Sequence, residues 1–308
     1  MTTSNRLTVE NITGCRETRF ALGTVITVLL PQIDTKSGRE LLDNVFKEIN
    51  RLERLLSVFI DTSDVWRLNN TGCCDGASSE ILEVIKRAHF HSELSGGVFD
   101  ITAGAHKPKK DITPDKKKHS SGGNYQNIII EKDRIRLKQC GVKVNLGAIG
   151  KGYIVDRAID YLSNKGVQSA MVNAGGDLRV IGEIRNGHCW RVGIRNPFKP
   201  RKMISSTLLH DQAVATSGSY RRPIHDIYNP QTGKESYGIA SASVVTDSAM
   251  DADALATSVY ILGTEKGKSL IGAWAGASTL CVLADGELIE FGDWHQTGMD
   301  VMPLLNNT

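Results

Sequence analysis

Two oxygen-bearing side chains stand four residues apart near the start of an apolar segment in the C-terminal third. They are Asp253 and Thr257, in the run DADALAT over 251–257. If this run opens a helix, the four-residue spacing places both side chains on one face. A carboxylate and a hydroxyl suit Mg²⁺, which prefers oxygen ligands and leaves positions open for a phosphate. The alternative is that Asp251 or Asp253 only caps the helix and interacts with its dipole.

Two glycine-rich segments have compositions typical of anion-binding turns. The first, GAIGKGY over 147–153, precedes an apolar-periodic stretch and contains Lys151. Backbone N–H groups at a helix start attract anions, and a lysine adds positive charge. The second, AGGD over 174–177, lies between two apolar runs, where paired glycines permit close approach of a ligand. A strand-to-helix turn and a tight hairpin are the ligand-free alternatives. Together with the Asp-Thr pair, these segments suggest a polyphosphate site with a metal.

Hydrophobic periodicity predicts the elements that must carry these residues. Helices are predicted over 41–56, 81–90, 154–162 and 248–262, with a further helix beginning near 266. Strands are predicted over 19–30, 127–131, 134–138, 170–173, 178–181, 190–194, 206–209, 240–245, 277–284 and 287–291. The stretch 217–233 is predicted to consist of turns. Separate helices beside adjacent strands indicate an α+β fold rather than βαβ repeats.

Composition excludes several classes of protein. The chain has 308 residues and a net charge of only +3, so no overall field favours nucleic acid or an anionic membrane. No run of 18 apolar residues predicts a spanning helix, and the N-terminal sequence lacks the apolar region of a secretory signal. The chain as written is therefore expected to be cytoplasmic. Six cysteines without a CxxC pair argue against a zinc site or disulfide framework.

Eight short blocks, taken in order, resemble the ApbE-type FAD:protein FMN transferases. They are LGT (22–24), SVF (57–59) with SD (63–64) and RLN (67–69), GVFDIT (97–102), GAIGKGY (147–153) followed by Asp156, GGD (175–177), TSG (216–218), NPQTG (229–233) and DALAT (253–257). The resemblance covers about residues 19–265. It implies an α+β, two-lobed ApbE-like fold with mixed or antiparallel sheets flanked by helices. It further implies a single domain over 19–300, with an N-terminal extension over 1–18, a solvated lysine-rich loop over 106–123 and a C-terminal tail over 301–308.

The resemblance also implies an activity and a set of site residues. FMN would move from FAD onto a Thr or Ser hydroxyl of an acceptor flavoprotein, belonging to an electron-transfer complex, and AMP would leave. Mg²⁺ would be held by the side chains of Asp253 and Thr257 with main-chain help from Ala148 and Ala256. Lys151 would neutralise the FAD pyrophosphate together with the metal. The implied FAD contacts are Leu22, Phe59, Val98, Phe99, Asp100, Asn145, Lys151 and Tyr228.

This chain departs from the family pattern near the expected base. Where the family has His in His-Ile-Ile-Asp-Pro, Asp226 stands here, and His225 lies one place earlier. Either residue could accept the proton of the acceptor hydroxyl. Asn145 also stands where the family has Asp. Two further readings therefore stay open, a Mg²⁺-dependent FAD pyrophosphatase that yields FMN and AMP, and a protein that binds FAD without turnover.

Overall fold

The computed structural model describes residues 14–103, 124–184, 187–218, 227–233 and 236–294. The lysine-rich loop and the C-terminal tail predicted from the sequence lie outside these ranges. Within them, the helices are α1 (Thr35–Leu56), α2 (Asp64–Thr71), α3 (Ser79–Leu94), α4 (Gly150–Asn164) and α5 (Ala249–Gly272). The strands are β1 (Cys15–Ala21), β2 (Thr24–Leu30), β3 (Cys73–Cys74), β4 (Ile128–Glu131), β5 (Arg134–Leu137), β6 (Ala170–Ala174), β7 (Asp177–Ile181), β8 (Trp190–Arg195), β9 (Met203–Leu209), β10 (Ala213–Gly218), β11 (Ile239–Thr246), β12 (Ser278–Leu283) and β13 (Leu288–Phe291).

Eight of these strands form one antiparallel sheet, in the order β1-β2-β6-β7-β10-β11-β12-β13. A three-stranded sheet has the order β3-β5-β4, and β8 pairs with β9 alone. Neighbouring strands in an antiparallel sheet can be joined by short turns, so no helical crossover is required within each hairpin. The separate helices and antiparallel sheets make this an α+β protein.

The two faces of the large sheet are covered by different elements. Along β2 and β6, Val28 and its partner Val172 belong to the core shared with α1 and α4, whereas Leu29 and Met171 belong to a cluster with β8 and β9. This division follows from the alternation of side chains along a strand. On the first face, α4 contacts both α1 and α5, and α5 packs over β10 and β11. The chemistry-bearing start of α4 is therefore held between two helices and the sheet.

Short polar side chains define where the helices begin. Asp34, Ser63 and Ser248 lie at the N-caps of α1, α2 and α5, and each side chain accepts hydrogen bonds from first-turn N–H groups. Such caps satisfy donors that have no partner inside the helix. Along α1, apolar residues such as Leu42 and Ile49 recur on the buried face, as the spacing predicts.

The structure corrects the predicted strand over 19–30. This stretch is a hairpin in which Ala21 pairs with Thr24, and Leu22 and Gly23 form the two-residue turn. Both turn residues have positive φ, 56° and 68°. A hairpin of this length favours such values because they match the twist of the strands. Gly23 thus lies in the turn between two strands and does not interrupt a single strand.

Two further elements differ from the periodicity-based prediction. Helix α2 spans only eight residues, too short for a helical pattern to be recognised. Strand β10 (AVATSG) consists mostly of small residues and overlaps the start of the stretch predicted to be turns. The two helices predicted after 248 are both present, because α5 consists of two helical segments that meet at a kink, where Gly263 has a non-helical φ of 79°.

We predict that Gly152→Ala destabilises the fold, because Gly152 lies where α4 and α5 approach most closely. A β-carbon there would lie 2.1 Å from the carbonyl oxygen of Ala249, a backbone atom that cannot move alone. The free energy of unfolding should fall by about 1–3 kcal/mol or more, as for other overpacked sites. Urea unfolding measures it.

Gly272→Ala is the matched control, since nothing lies within 4 Å of a β-carbon at that helical position. This control should be neutral or slightly stabilising, by up to about 1 kcal/mol. Equal effects of the two substitutions would contradict the close helix contact.

Candidate active site

A lysine lies between two buried carboxylates where α4, α5 and β7 meet. Lys151 is in the first turn of α4, Asp177 begins β7, and Asp253 is in the second turn of α5. The Lys151 Nζ atom lies 3.1 Å from Oδ2 of Asp253 and also hydrogen-bonds Oδ2 of Asp177. Both carboxylates are 6% exposed, whereas 34% of the lysine side chain stays accessible. The Lys151 side chain is therefore partly accessible while its ammonium stays paired with both carboxylates.

The charges of this trio do not balance. When both carboxylates are ionised, they and the ammonium leave one net negative charge in a buried position. Burial, together with the nearby Asp177, raises the pKa of Asp253 to about 7, against the opposing effects of Lys151 and the Gly152 N–H group. For Lys151, burial disfavours the charged form, but attraction to both carboxylates outweighs it and raises the pKa. The lysine therefore stays protonated, and a second cation at the site would favour the ionised form of Asp253.

Asp156 fixes the start of α5 relative to α4. Its carboxylate accepts hydrogen bonds from the backbone N–H groups of Ala249 and Met250, each at 2.9 Å, and from the Ser248 hydroxyl at 2.8 Å. Arg179 donates to the same carboxylate at 3.0 Å. A carboxylate at a helix N-terminus satisfies free donors and complements the dipole. Because Asp253 follows one turn later, Asp156 sets where that carboxylate lies.

The glycine segments serve close packing. Gly152 faces the Ala249 carbonyl oxygen across the α4–α5 contact, as described above. In the β6–β7 hairpin, a β-carbon on Gly175 would lie 2.3 Å from Oγ1 of Thr24, and Gly175 has φ 65°. The β6–β7 hairpin considered for 174–177 is therefore present. It also brings Asp177 to the lysine, so the turn and the site are compatible.

Thr257 lies one turn beyond Asp253 on α5, as the spacing predicts. Its hydroxyl is 2.9 Å from the hydroxyl of Ser217 on β10. Ser217 belongs to the TSG block, so this contact joins two of the sequence blocks in space. The contact places two hydroxyl oxygens about one helical turn from the Asp253 carboxylate.

The donor set fits a hard divalent cation. Among the described residues, no three His, Cys, Asp or Glu side chains converge on a metal position. The oxygens of Asp253 and Thr257 would instead have to be supplemented by main-chain or phosphate oxygens, an arrangement that Mg²⁺ accepts. Ala148 lies in the turn before α4 and Ala256 is buried within α5. The uncompensated negative charge of the trio is the observation that favours a cation there.

A cavity of about 180 Å³ opens beside Lys151. Four of the predicted FAD contacts, Leu22, Phe59, Asn145 and Lys151, line it. The Phe59 ring is 92% exposed, which is unusual for a phenylalanine and leaves its face free for stacking. The cavity thus has a cationic residue at the start of α4 and mostly apolar residues near the β1–β2 turn, where Glu53 also lines it.

The predicted contacts at 98–100 lie beside this cavity and do not line it. Val98 and Phe99 are buried, at 5% and 1% exposure, so their side chains belong to the core. The Asp100 carboxylate accepts hydrogen bonds from the backbone N–H groups of Thr102 and Tyr125. Burial raises its pKa despite these bonds. A contact of Val98 or Phe99 with a ligand would have to use main-chain atoms.

Asn145 connects this segment with the start of α4. Its backbone N–H donates to the Ile101 carbonyl at 2.7 Å, and its side-chain oxygen accepts from Gly147 N–H at 2.9 Å. An Asn can fill this turn position as well as an Asp because both offer the accepting oxygen. The departure from the family residue therefore leaves the local turn intact.

The expected base lies outside the described residues. His225 and Asp226 fall in the gap between 218 and 227, so their roles stay predictions. Tyr228 is described and half-buried. The turn that follows it contacts the loop after α3, because the Gln231 side chain donates to the Gly96 carbonyl at 2.6 Å. The chain just after the expected base thus lies close to the 98–100 segment.

Two residues with clear structural roles are absent from the sequence-based site. Asp177 was recognised only as part of the GGD block, and Ser217 only as part of TSG. Both contacts span strands and helices far apart in the chain, so local spacing carries no signal for them. The available signal was the family resemblance, because the GGD block ends at Asp177 and the TSG block contains Ser217.

The fold matches that of solved ApbE proteins. The ApbE protein of Thermotoga maritima superposes with a TM-score of 0.78 at 27% identity, covering 91% of this chain and 97% of that one. The apo flavinyl transferase ApbE of Pseudomonas stutzeri gives a TM-score of 0.79 at 26% identity, covering 93% and 95%. The predicted α+β fold of ApbE type is therefore confirmed.

The sequence comparisons define the family. Residues 22–280 match the sequence model of the ApbE family, and the chain belongs to that family. It is similar to an FAD:protein FMN transferase of Treponema pallidum, 28% identical over 285 residues, which is 79% of this chain and 77% of the relative. It is also similar to the enzyme of that name from Vibrio cholerae, 27% identical over 259 residues, with 77% of each chain covered.

The helices give no sign of a membrane-crossing segment. Across the described ranges, each helix is too short or too polar to span a bilayer.

We predict that Asp156→Asn destabilises the chain by about 2–4 kcal/mol. The substitution removes the charge that serves the N-terminus of α5 and leaves Arg179 without its buried partner. Urea unfolding at neutral pH measures the change.

Asp160→Asn, one turn later on α4, is the control. Its carboxylate is 38% exposed, pairs with Arg157 at 2.8 Å and makes a longer contact of 3.4 Å with Arg179. The expected loss is below about 1 kcal/mol, because exposed ion pairs contribute little. If both variants lose the same stability, Asp156 does not organise the helix start.

Proposed function

We propose that this chain transfers FMN from FAD to a Ser or Thr hydroxyl of an acceptor protein. The observation that carries the proposal is the partly accessible side chain of Lys151, which lines a cavity whose other end is formed by Leu22 and Phe59. FAD has the matching distribution of groups, an anionic pyrophosphate between aromatic rings. The names of the relatives, FAD:protein FMN transferases, support the same reaction.

In this reaction the acceptor oxygen attacks the FMN-side phosphorus of FAD. A new phosphoester bond forms while the bridging P–O bond breaks, and AMP leaves with the bridging oxygen. The hydroxyl proton passes to a base, for which His225 or Asp226 stays the prediction. Lys151 stabilises the charge on the pyrophosphate oxygens, where positioning and electrostatics contribute most to phosphoryl transfer.

Mg²⁺ is proposed as the cofactor. Asp253 and Thr257 would hold it with main-chain oxygens of Ala148 and Ala256, and the uncompensated charge of the trio supports this position. When bound, the ion would neutralise charge on the pyrophosphate and on the departing AMP. Lys151 remains the only ammonium of the described chain that contacts both carboxylates.

The flavin is proposed to occupy the apolar end, against Leu22 and Phe59. Asn145, Asp100 and Tyr228 would contribute polar contacts, and Val98 and Phe99 main-chain contacts. The proposed acceptor is a flavoprotein of an electron-transfer complex with a Ser/Thr flavinylation motif. The cytoplasmic location expected from the sequence stays a prediction, which cell fractionation tests.

A single incubation distinguishes the possible reactions. The purified chain is mixed with FAD, Mg²⁺ and a candidate acceptor protein. Transfer predicts flavin fluorescence that stays on the acceptor after denaturation, with one AMP released per flavin attached. AMP and free FMN without labelled acceptor would indicate an FAD pyrophosphatase, and bound FAD without AMP a binding protein.

We predict that Asp253→Asn lowers Mg²⁺-dependent turnover at least about a hundredfold, because it removes the charged ligand from the site. The variant should also lose the rise in thermal unfolding midpoint that Mg²⁺ causes in the parent protein. Glu265→Gln, an exposed position on the same helix, is the control and should retain both properties. Unchanged turnover in the Asp253 variant would remove this residue from the metal site.

A further inference from the structure

A leucine adopts a backbone conformation that leucine normally avoids, at the edge of the cavity. Leu22 has φ 56° and is the first residue of the two-residue β1–β2 turn. Turns of this kind favour Asn, Asp or Gly at that position, because a β-carbon disfavours positive φ. The following residue, Gly23, meets the requirement without strain. A leucine at such a position needs support from its surroundings and a reason to be there.

Leu22 is needed at this position because it lines the cavity, and a residue of α1 stabilises its backbone conformation. Leu22 lines the cavity beside Phe59. The Leu22 N–H group donates to Oε1 of Glu53, in the last turn of α1, at 3.0 Å. Among the described residues, the Leu22 N–H group is the hydrogen-bond partner of the Glu53 carboxylate, and no lysine or arginine forms an ion pair with that carboxylate. The carboxylate is therefore committed to the turn and not to a surface ion pair.

We propose that Glu53 is a positioning residue that holds the Leu22-Gly23 turn in its left-handed conformation and so fixes the apolar wall of the flavin cavity. This inference rests on the proposed function, since it assigns the wall to FAD. Glu53 acts through Leu22 and takes no part in phosphoryl transfer. The groups assigned to that step, Lys151 and Asp253, are carried by α4 and α5.

The role has a defined energetic consequence. Without the acceptor oxygen, the strained turn populates other conformations in which Leu22 no longer forms the wall. The apparent dissociation constant for FAD then rises by the inverse of the fraction that stays competent. Loss of a hydrogen bond to a charged group corresponds to roughly a tenfold effect. The apparent KM for FAD should rise accordingly, while kcat at saturating FAD changes by less than about twofold.

The test is a double-mutant cycle on the full chain, read by FAD titration and by KM and kcat. Glu53→Ala should weaken FAD binding about tenfold. Leu22→Asn creates an Asn-Gly turn that adopts positive φ on its own. In that background the Glu53→Ala change should weaken binding by no more than about twofold, because the turn no longer needs the carboxylate.

Two further variants secure the interpretation. Glu53→Gln keeps an accepting oxygen for the Leu22 N–H group, so binding should weaken by only about threefold. Glu40→Ala, exposed on the same helix, controls for general effects on α1. Thermal unfolding measures whether each variant is folded. If Glu53→Ala is not folded, the FAD affinity of Glu53→Gln still tests the proposal.

Three outcomes would overturn the proposal. The first is Glu53→Ala binding FAD as tightly as the parent protein. The second is the same loss in the parent and in the Leu22→Asn background, which would indicate that Glu53 contacts FAD directly. The third is a fall in kcat with no change in KM. Failure of the proposed function is distinct, because then the parent protein itself would neither bind FAD nor release AMP.

Discussion

The site depends on one buried arrangement of charge, a single ammonium shared by two carboxylates. Lys151 contacts Asp177 and Asp253, and one negative charge is uncompensated when both carboxylates are ionised. Buried charge is tolerated only where its partners are held in place. The glycine at the α4–α5 contact and the Asp156 carboxylate at the start of α5 hold them. The same imbalance makes the position attractive to a divalent cation and to the phosphates that accompany it.

The two ends of the cavity are formed by different parts of the fold. Its cationic end belongs to α4, with β7 and α5 behind it, and its apolar end to the β1–β2 turn and the segment after α1. The β6–β7 hairpin joins the two ends, because Gly175 lies against Thr24 just beyond the first turn. A change in one end can therefore alter flavin affinity without altering the group that meets the pyrophosphate.

Local chemistry made part of this structure predictable. The four-residue spacing of Asp253 and Thr257 correctly predicted a shared helix face, and the apolar spacing of α1 predicted its buried side. The Leu22 turn was missed because a leucine gives no turn signal, and its conformation depends on Glu53, 31 residues away. The role of Asp156 was also hidden, since its partners lie about 90 residues along the chain. Contacts of this kind arise from tertiary packing, which single-sequence patterns do not encode.

The most direct test of the central claim is a crystal structure of the chain with FAD and Mg²⁺. The predicted result places the FAD pyrophosphate against the Lys151 ammonium, with Mg²⁺ on Asp253 and Thr257 and the isoalloxazine ring against Leu22 and Phe59. A structure with the pyrophosphate bound elsewhere, while Lys151 still joins Asp177 and Asp253 and no metal lies beside them, would contradict it.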